Sequence, residues 1–108
     1  MNNQIKVNKN IREHVDYISR GHSNCIKINP SNSKEHETKK ALMAIDLIFE
    51  GKTIFTECEH IDIDRRSDIY IADDNTVIEI IKSESEKSIE EKRKAFNSFN
   101  YKFEEERA

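Results

Sequence analysis

The chain has 108 residues, of which 18 are basic and 21 acidic, giving a formal net charge of -3. That length predicts one domain, residues 1–108, with a modest core and no large enclosed cavity. The charge balance excludes a strongly basic nucleic-acid coat, so any nucleic-acid contact must be a local patch.

Ile, Val, Leu and Phe supply 26 of the 108 residues, above the roughly 20% level below which disorder is the default. No apolar run approaches the ~18 residues of a membrane span, and no signal peptide opens the chain. The expectation is an intracellular, cytoplasmic protein without a membrane partner. Cys25 and Cys58 are too few for a disulfide scaffold and read as reduced thiols. Cys58 and His60 form a lone C-x-H. Without paired spacing elsewhere it reads as a strand or loop end rather than a zinc site.

In chain order, residues 1–10 read as a loose polar start. Ile11, Val15 and Ile18 predict a short amphipathic helix over 11–20, stopped by Gly21. Ile26-Lys27-Ile28 alternates like a brief strand, ended by Pro30. Ser33 is the predicted N-cap of a helix over 34–50, and Glu35 and Glu37 suit its positive end. Ala41, Leu42, Ile45, Ile48 and Phe49 form its apolar stripe, and Gly51 its C-terminal stop.

After Gly51 the period changes to two. Strands are predicted at Thr53–Glu57, Ser67–Ala72 and Thr76–Lys82, the last two joined through Asp73-Asp74-Asn75. Ser88 and Glu91 form a capping box for a last helix from about Ile89 to about Glu105. Ile89, Phe96, Phe99 and Phe103 lie on one face of that helix, while Tyr101 lies off it and is free to be exposed. The order predicts a layered fold of helices on a meander.

Glu79 needs an explanation. It interrupts the most hydrophobic strand, Val77-Ile78-Glu79-Ile80-Ile81, where a carboxylate is costly unless exposed, paired or metal-bound. A two-residue turn at Asp73-Asp74 pairs residues whose numbers sum to 147. Asp68 then faces Glu79 with Cβ atoms ~5 Å apart. A divalent cation would convert that repulsion into a site, and hard oxygen ligands suit Mg²⁺ or Mn²⁺. A solvated sheet face is the alternative reading. Glu35 and Glu37 lie on the two flanks of the predicted helix face and either could reach the site. On that projection His36 points away.

On these residues the chain resembles the PD-(D/E)XK nuclease superfamily, in particular its small restriction-endonuclease-like and Holliday-junction-resolvase-type members. The resemblance covers residues 33–101. It comprises the helix opening Ser33-Lys34-Glu35-His36-Glu37-Thr38-Lys39-Lys40, Gly51, Thr56-Glu57, Arg66-Ser67-Asp68-Ile69 and Val77–Ile81. It implies an α/β three-layer core, an antiparallel three-stranded meander plus further strands, flanked by helices. It implies Mg²⁺-dependent (or Mn²⁺-dependent) endonuclease activity on DNA, with Asp68 and Glu79 as metal ligands. Glu35 would be the helix carboxylate, with Glu37 as second choice. The motif lysine falls at Ile81, a departure from the pattern. Lys82 comes one residue late, on the opposite strand face unless bulged, and Lys39 on the helix is the other candidate. If no lysine reaches the site, the resemblance implies a degenerate relative that binds nucleic acid or a protein without cleavage.

Arg65-Arg66, immediately before Asp68, are the expected phosphate contacts. Lys87, Lys92, Arg93 and Lys94 add charge near the last helix but interleave with glutamates. So small a chain leaves little surface for a DNA cleft, so a homodimer through the Phe stripe of the last helix is expected.

Overall fold

The computed structural model describes residues 3–108. Its centre is a four-stranded mixed sheet in the order β1-β2-β3-β4. β1 (Ile54–Glu59), β2 (Arg66–Ile71) and β3 (Thr76–Ile81) form the meander. β4 (Lys102–Arg107) runs parallel to β3. Helix α3 (Lys34–Phe49) covers one face and α4 (Glu86–Ser98) the other. Two helices, α1 (Asn3–His14) and α2 (Tyr17–Arg20), precede them. The fold is α/β, as the sequence implied. No described helix is long and apolar enough to cross a membrane.

Each sheet face has its own apolar layer. Ala44 of α3, with Met43, Leu47 and Ile48, packs on Ile54, Ile69, Ile71, Ile78 and Ile80. Phe96 of α4 joins Phe55, Tyr70, Val77 and Tyr101 on the other side, together with Val7 and Val15. The β2–β3 register is Ile69↔Ile78, Tyr70↔Val77 and Ile71↔Thr76, each summing to 147 as predicted. The connection is longer than two residues, running from Ala72 to Asn75 between the paired Ile71 and Thr76.

Several local expectations are corrected. Residues 3–10 are helical, not loose, because Val7 is buried and Asn10 Nδ2 donates to the Ala72 carbonyl (2.6 Å). Residues 1–2 lie outside the described residues. The predicted 11–20 helix is broken at Val15-Asp16, where Val15 bridges to His60 and the Asp16 side chain caps α2. That break leaves Ile18 exposed. Residues 26–28 form no strand. Thr56 holds this stretch instead, accepting from the Lys27 amide (2.8 Å) and donating to the Cys25 carbonyl (2.9 Å). α4 is capped by Ser85, not Ser88, and begins three residues early.

The largest correction lies at the C-terminus. α4 stops at Ser98 and the chain reverses through Asn100, in the left-handed region at φ 68°. Asn tolerates that conformation, and Asn97-Ser98-Phe99-Asn100 was a turn signal outweighed by the Phe spacing. β4 follows where a helix to Glu105 was expected. Its Glu104, Glu105 and Glu106 charge an otherwise open sheet edge, which discourages pairing with another chain. The Phe stripe is thereby dispersed. Phe96 is in the core, Phe103 packs against it from β4, and Phe99 is partly exposed.

Tyr101 is buried, not exposed, because its hydroxyl donates to Asp62 Oδ1 (2.5 Å) and lies 3.0 Å from His60 Nδ1. His60 Nε2 in turn lies 2.9 Å from Ser67 Oγ. Burial lowers the His60 pKa to about 4, so the ring is neutral at pH 7. Burial also pushes the Cys58 thiol up. Both members of the C-x-H are therefore packing groups.

Phe96→Ala should cost about 3–5 kcal/mol of unfolding free energy, whereas Phe99→Ala should stay within about 0.5 kcal/mol. Urea titration of the two variants checks this, and a helix continuing to Glu105 would give comparable losses.

Candidate functional site

Three carboxylates stand in a row across the sheet. The β1–β2 pairing passes from Thr56↔Ile69 to Cys58↔Ser67, leaving Glu57 and Asp68 outside the ladder. The β2–β3 pairing stops at Ile69↔Ile78, one step short of Asp68 and Glu79. Side chains replace the missing backbone bonds. The Asp68 amide donates to Glu79 Oε2 (2.8 Å) and the Ile80 amide donates to Asp68 Oδ2 (2.8 Å). Glu57 sits at φ 48°, a conformation that costs a non-glycine residue on the order of 1 kcal/mol. This kink lets Phe55 and Cys58, three residues apart, enter the same apolar layer.

Helix α3 supplies the opposite wall. Ser33 caps it, accepting from the His36 amide (3.1 Å). His36 Nδ1 lies 2.7 Å from Glu37 Oε2, and Nε2 lies 3.3 Å from Asp68 Oδ2. Lys40, fully buried, reaches Glu37 Oε1 (2.5 Å) and Glu57 Oε2 (3.7 Å). Glu37 also accepts from the Asn29 amide (2.6 Å) and Asn32 Nδ2 (3.1 Å). From α4, Lys92 stands 3.7 Å from Glu79 Oε1 and 3.0 Å from Glu84 Oε2. The resulting cavity, about 250 Å³, is lined by Glu57, Asp68, Glu79, His36 and Lys92, with Arg65, Arg66, Asn29 and Asn32 among its other walls.

The electrostatics divide these acids into two kinds. Burial works to raise the Glu37 pKa, but hydrogen bonds from the Asn29 amide, Lys40, Asn32 and His36 outweigh it and hold the carboxyl at about 2. Glu79 goes the other way. Burial and then the Asp68 charge raise it to about 8, against the Asp68 amide and Lys92. Burial also raises Asp68, opposed by the Ile80 amide and His36. Asp68 and Glu79 are thus an undercompensated acidic pair, which is a recurrent property of functional sites.

The sequence-predicted residues are distributed as follows. Asp68 and Glu79 line the cavity together, with Arg65 and Arg66 at its edge. Arg66 lies 4.0 Å from Glu57 and 3.8 Å from Glu59. Of the two helix carboxylates, Glu37 is the buried one. Glu35 is exposed and pairs with Lys82 (2.9 Å), so neither Glu35 nor Lys82 enters the cavity. Lys39 lies outside it as well, near Glu106 (3.9 Å). The reason is a rotation of α3. His36, Glu37, Lys40 and Ala44 face inward, while Leu42, Ile45 and Phe49 face solvent.

His36, Glu57 and Lys92 were not assigned from the sequence, nor was Lys40. Glu37 and Lys40 at i,i+3 were a usable signal. The position of Glu57 was not, since the connection from β1 to β2 has no turn chemistry that fixes register.

The donors are hard carboxylate oxygens, which suit Mg²⁺ or Mn²⁺ rather than softer metals. In the arrangement described, they are engaged with His36, Lys92 and backbone amides. Among the described residues, no three His, Cys, Asp or Glu side chains converge on one point. Comparison with protein-family models, curated proteins and solved structures finds no match. What fold and site define together is an α/β protein with a mixed four-stranded sheet and an acidic row, buried at Glu79 and half-buried at Glu57 and Asp68, with a buried lysine beside Glu57.

Two pH dependences follow. The folded Glu37 pKa lies below its ordinary value of 4.5, so its stabilisation is complete above pH 4.5 and is lost as pH falls through about 2. Glu37→Gln should therefore lower stability at pH 7, by roughly 2–3 kcal/mol, and lose that effect near pH 2. The folded Glu79 pKa is raised, so its ionisation destabilises the fold increasingly from pH 4.5 to about 8. Glu79→Gln should stabilise the protein above pH 8, on the order of 2 kcal/mol, and be nearly neutral at pH 4. Urea titrations across pH check both signs.

Proposed function

We propose that the chain is a metal-dependent endonuclease of the PD-(D/E)XK type that hydrolyses phosphodiester bonds in DNA. The observation that carries this reading is the acidic row Glu57-Asp68-Glu79, on three adjacent strands and lining one cavity, with the buried ammonium of Lys40 behind it, 3.7 Å from Glu57. The element order supports it too, since α3, the β1–β3 meander, α4 and β4 build the helix-flanked core that the sequence resemblance implies.

Asp68 and Glu79 would hold the cation, with Glu57 beside them. When bound, a divalent cation supplies an activated water and neutralises charge on the phosphoryl oxygens. Lys40 is the lysine of this site in place of Lys39, Lys82 or a residue at position 81. Its ammonium lies 3.7 Å from Glu57 Oε2 and adds fixed positive charge where the transition state is anionic. Glu37 holds that ammonium in place and orients His36 toward Asp68. Arg65 and Arg66, both exposed at the cavity wall, bind the flanking phosphates.

The second reading is a degenerate relative that binds nucleic acid or a protein without cleavage. What favours it is Ile81, fully buried at the position of the motif lysine, together with the engagement of Lys40 by Glu37.

Nicking of supercoiled plasmid and of a four-way junction, with Mg²⁺ or Mn²⁺, separates the readings. Cleavage should be abolished by Asp68→Asn and Glu79→Gln. Lys40→Met, if folded by circular dichroism, should reduce it by about 100-fold or more. Cation binding measured calorimetrically should strengthen as pH rises toward 8, because Glu79 must lose a proton to ligate. Cation binding without cleavage identifies the degenerate relative. No cation binding by the wild type overturns the nuclease reading.

A further inference from the structure

The rotation that turns His36, Glu37 and Lys40 inward leaves an apolar face on the outside of α3. Leu42 is 57% exposed, Ile45 41% and Phe49 88%. With the exposed Thr38, these residues are spaced 4, 3 and 4 apart, the period of a helix–helix seam. Beside Thr38 lies a groove of about 550 Å³ walled by Ile28, Pro30, Ala41 and Leu42. The same face thus carries a protruding phenylalanine at one end and an apolar hollow at the other.

We infer that this face binds a second copy of the chain, α3 against α3, antiparallel about a two-fold axis between Leu42 and Ile45. Two features of this surface, the groove and the flanking charges, fix the occupant and its direction. The antiparallel register sets Leu42 against Ile45 of the second copy, and Thr38 against its Phe49. The most exposed apolar side chain thereby meets the groove at Thr38, twice by symmetry. The same register puts Lys39 beside Asp46 of the second copy, again twice. Both are on one flank of the seam and neither is buried, so the charges are self-complementary. A parallel pair would put the two Lys39–Asp46 flanks on opposite sides of the seam, so that they could not pair, and would leave both grooves empty.

The geometry has a consequence for the cavities. They lie on the inward faces of the two helices, so the pair places them on the two outer sides of a central helix layer. Glu37 and its counterpart would be about 20 Å apart along the helix axis at 1.5 Å per residue. The interface is independent of the nuclease reading, since no residue of the acidic row takes part.

Sedimentation equilibrium and light scattering of the intact chain test it. The expected mass is twice 12.7 kDa. Phe49→Lys should weaken association by at least about tenfold and halve the mass at working concentration. Its thermal midpoint, read well below and above the association range, shows whether the fold is intact. Lys39→Asp and Asp46→Lys should each weaken the dimer, and the double variant should restore it. A wild type at the single-chain mass overturns the proposal and leaves the face to a different partner. A dimer that survives Phe49→Lys overturns it as well. A double variant no better than the single ones overturns the antiparallel register.

Discussion

The ammonium of Lys40 is fully buried, and much of the structure around it follows from that fact. An unpaired buried charge is severely destabilising, so it must meet carboxylates in good geometry. Glu37 at 2.5 Å and Glu57 at 3.7 Å supply them. Glu37 is in turn saturated by Asn29, Asn32 and His36, which ties the 29–32 loop to the first turn of α3. Glu57 can face the helix only through its left-handed backbone, which opens the β1–β2 ladder at Asp68. One buried cation thus couples a loop, a helix rotation and a strand kink.

The acids on the far side of the cavity are not satisfied in the same way. Asp68 and Glu79 accept from each other's strands rather than from cations at close range, and Lys92 stands 3.7 Å away. Replacing this pair with apolar residues would remove the burial cost of two carboxyls but leave the amides of residues 68 and 80 without their acceptors. The contrast between a saturated Glu37 and a strained Glu79 is local. Glu79 lines the cavity and Glu37 touches its His36 wall, but Glu37 has several donors while Glu79 has the Asp68 charge beside it. Surface acids such as Glu35, paired with Lys82 in solvent, carry no such cost.

What could be read from the sequence was whatever depends on short-range chemistry. Ser33 as N-cap, the change of period after Gly51 and the 147 register are local signals, and the structure keeps all three. The Asp68–Glu79 pair came from that register alone. The facing direction of α3 was not legible. Its apolar residues support two overlapping stripes, Met43-Ala44-Leu47-Ile48 and Ala41-Leu42-Ile45-Phe49, and hydrophobicity favours the outer one. The choice is made by His36, Glu37 and Lys40, polar residues whose partners lie on β1 and β2. β4 was hidden for a related reason. Glu104-Glu105-Glu106 has neither strand propensity nor alternation, and its place beside β3 is set by tertiary pairing.

The rotation of α3 therefore does two things at once. Turning the polar face inward builds the cavity, and it necessarily turns Leu42, Ile45 and Phe49 outward. A helix of this length cannot bury both stripes in a three-layer monomer, because the stripes lie on different sides of its axis. The polar stripe takes the interior only because its charges are matched there. Were Lys40 and Glu37 both apolar, nothing would hold His36 against Asp68, and the outer stripe could compete for the sheet. The exposed face is thus tied to the buried charges, and an outward apolar stripe on α3 marks a chain in which the inner polar stripe is retained.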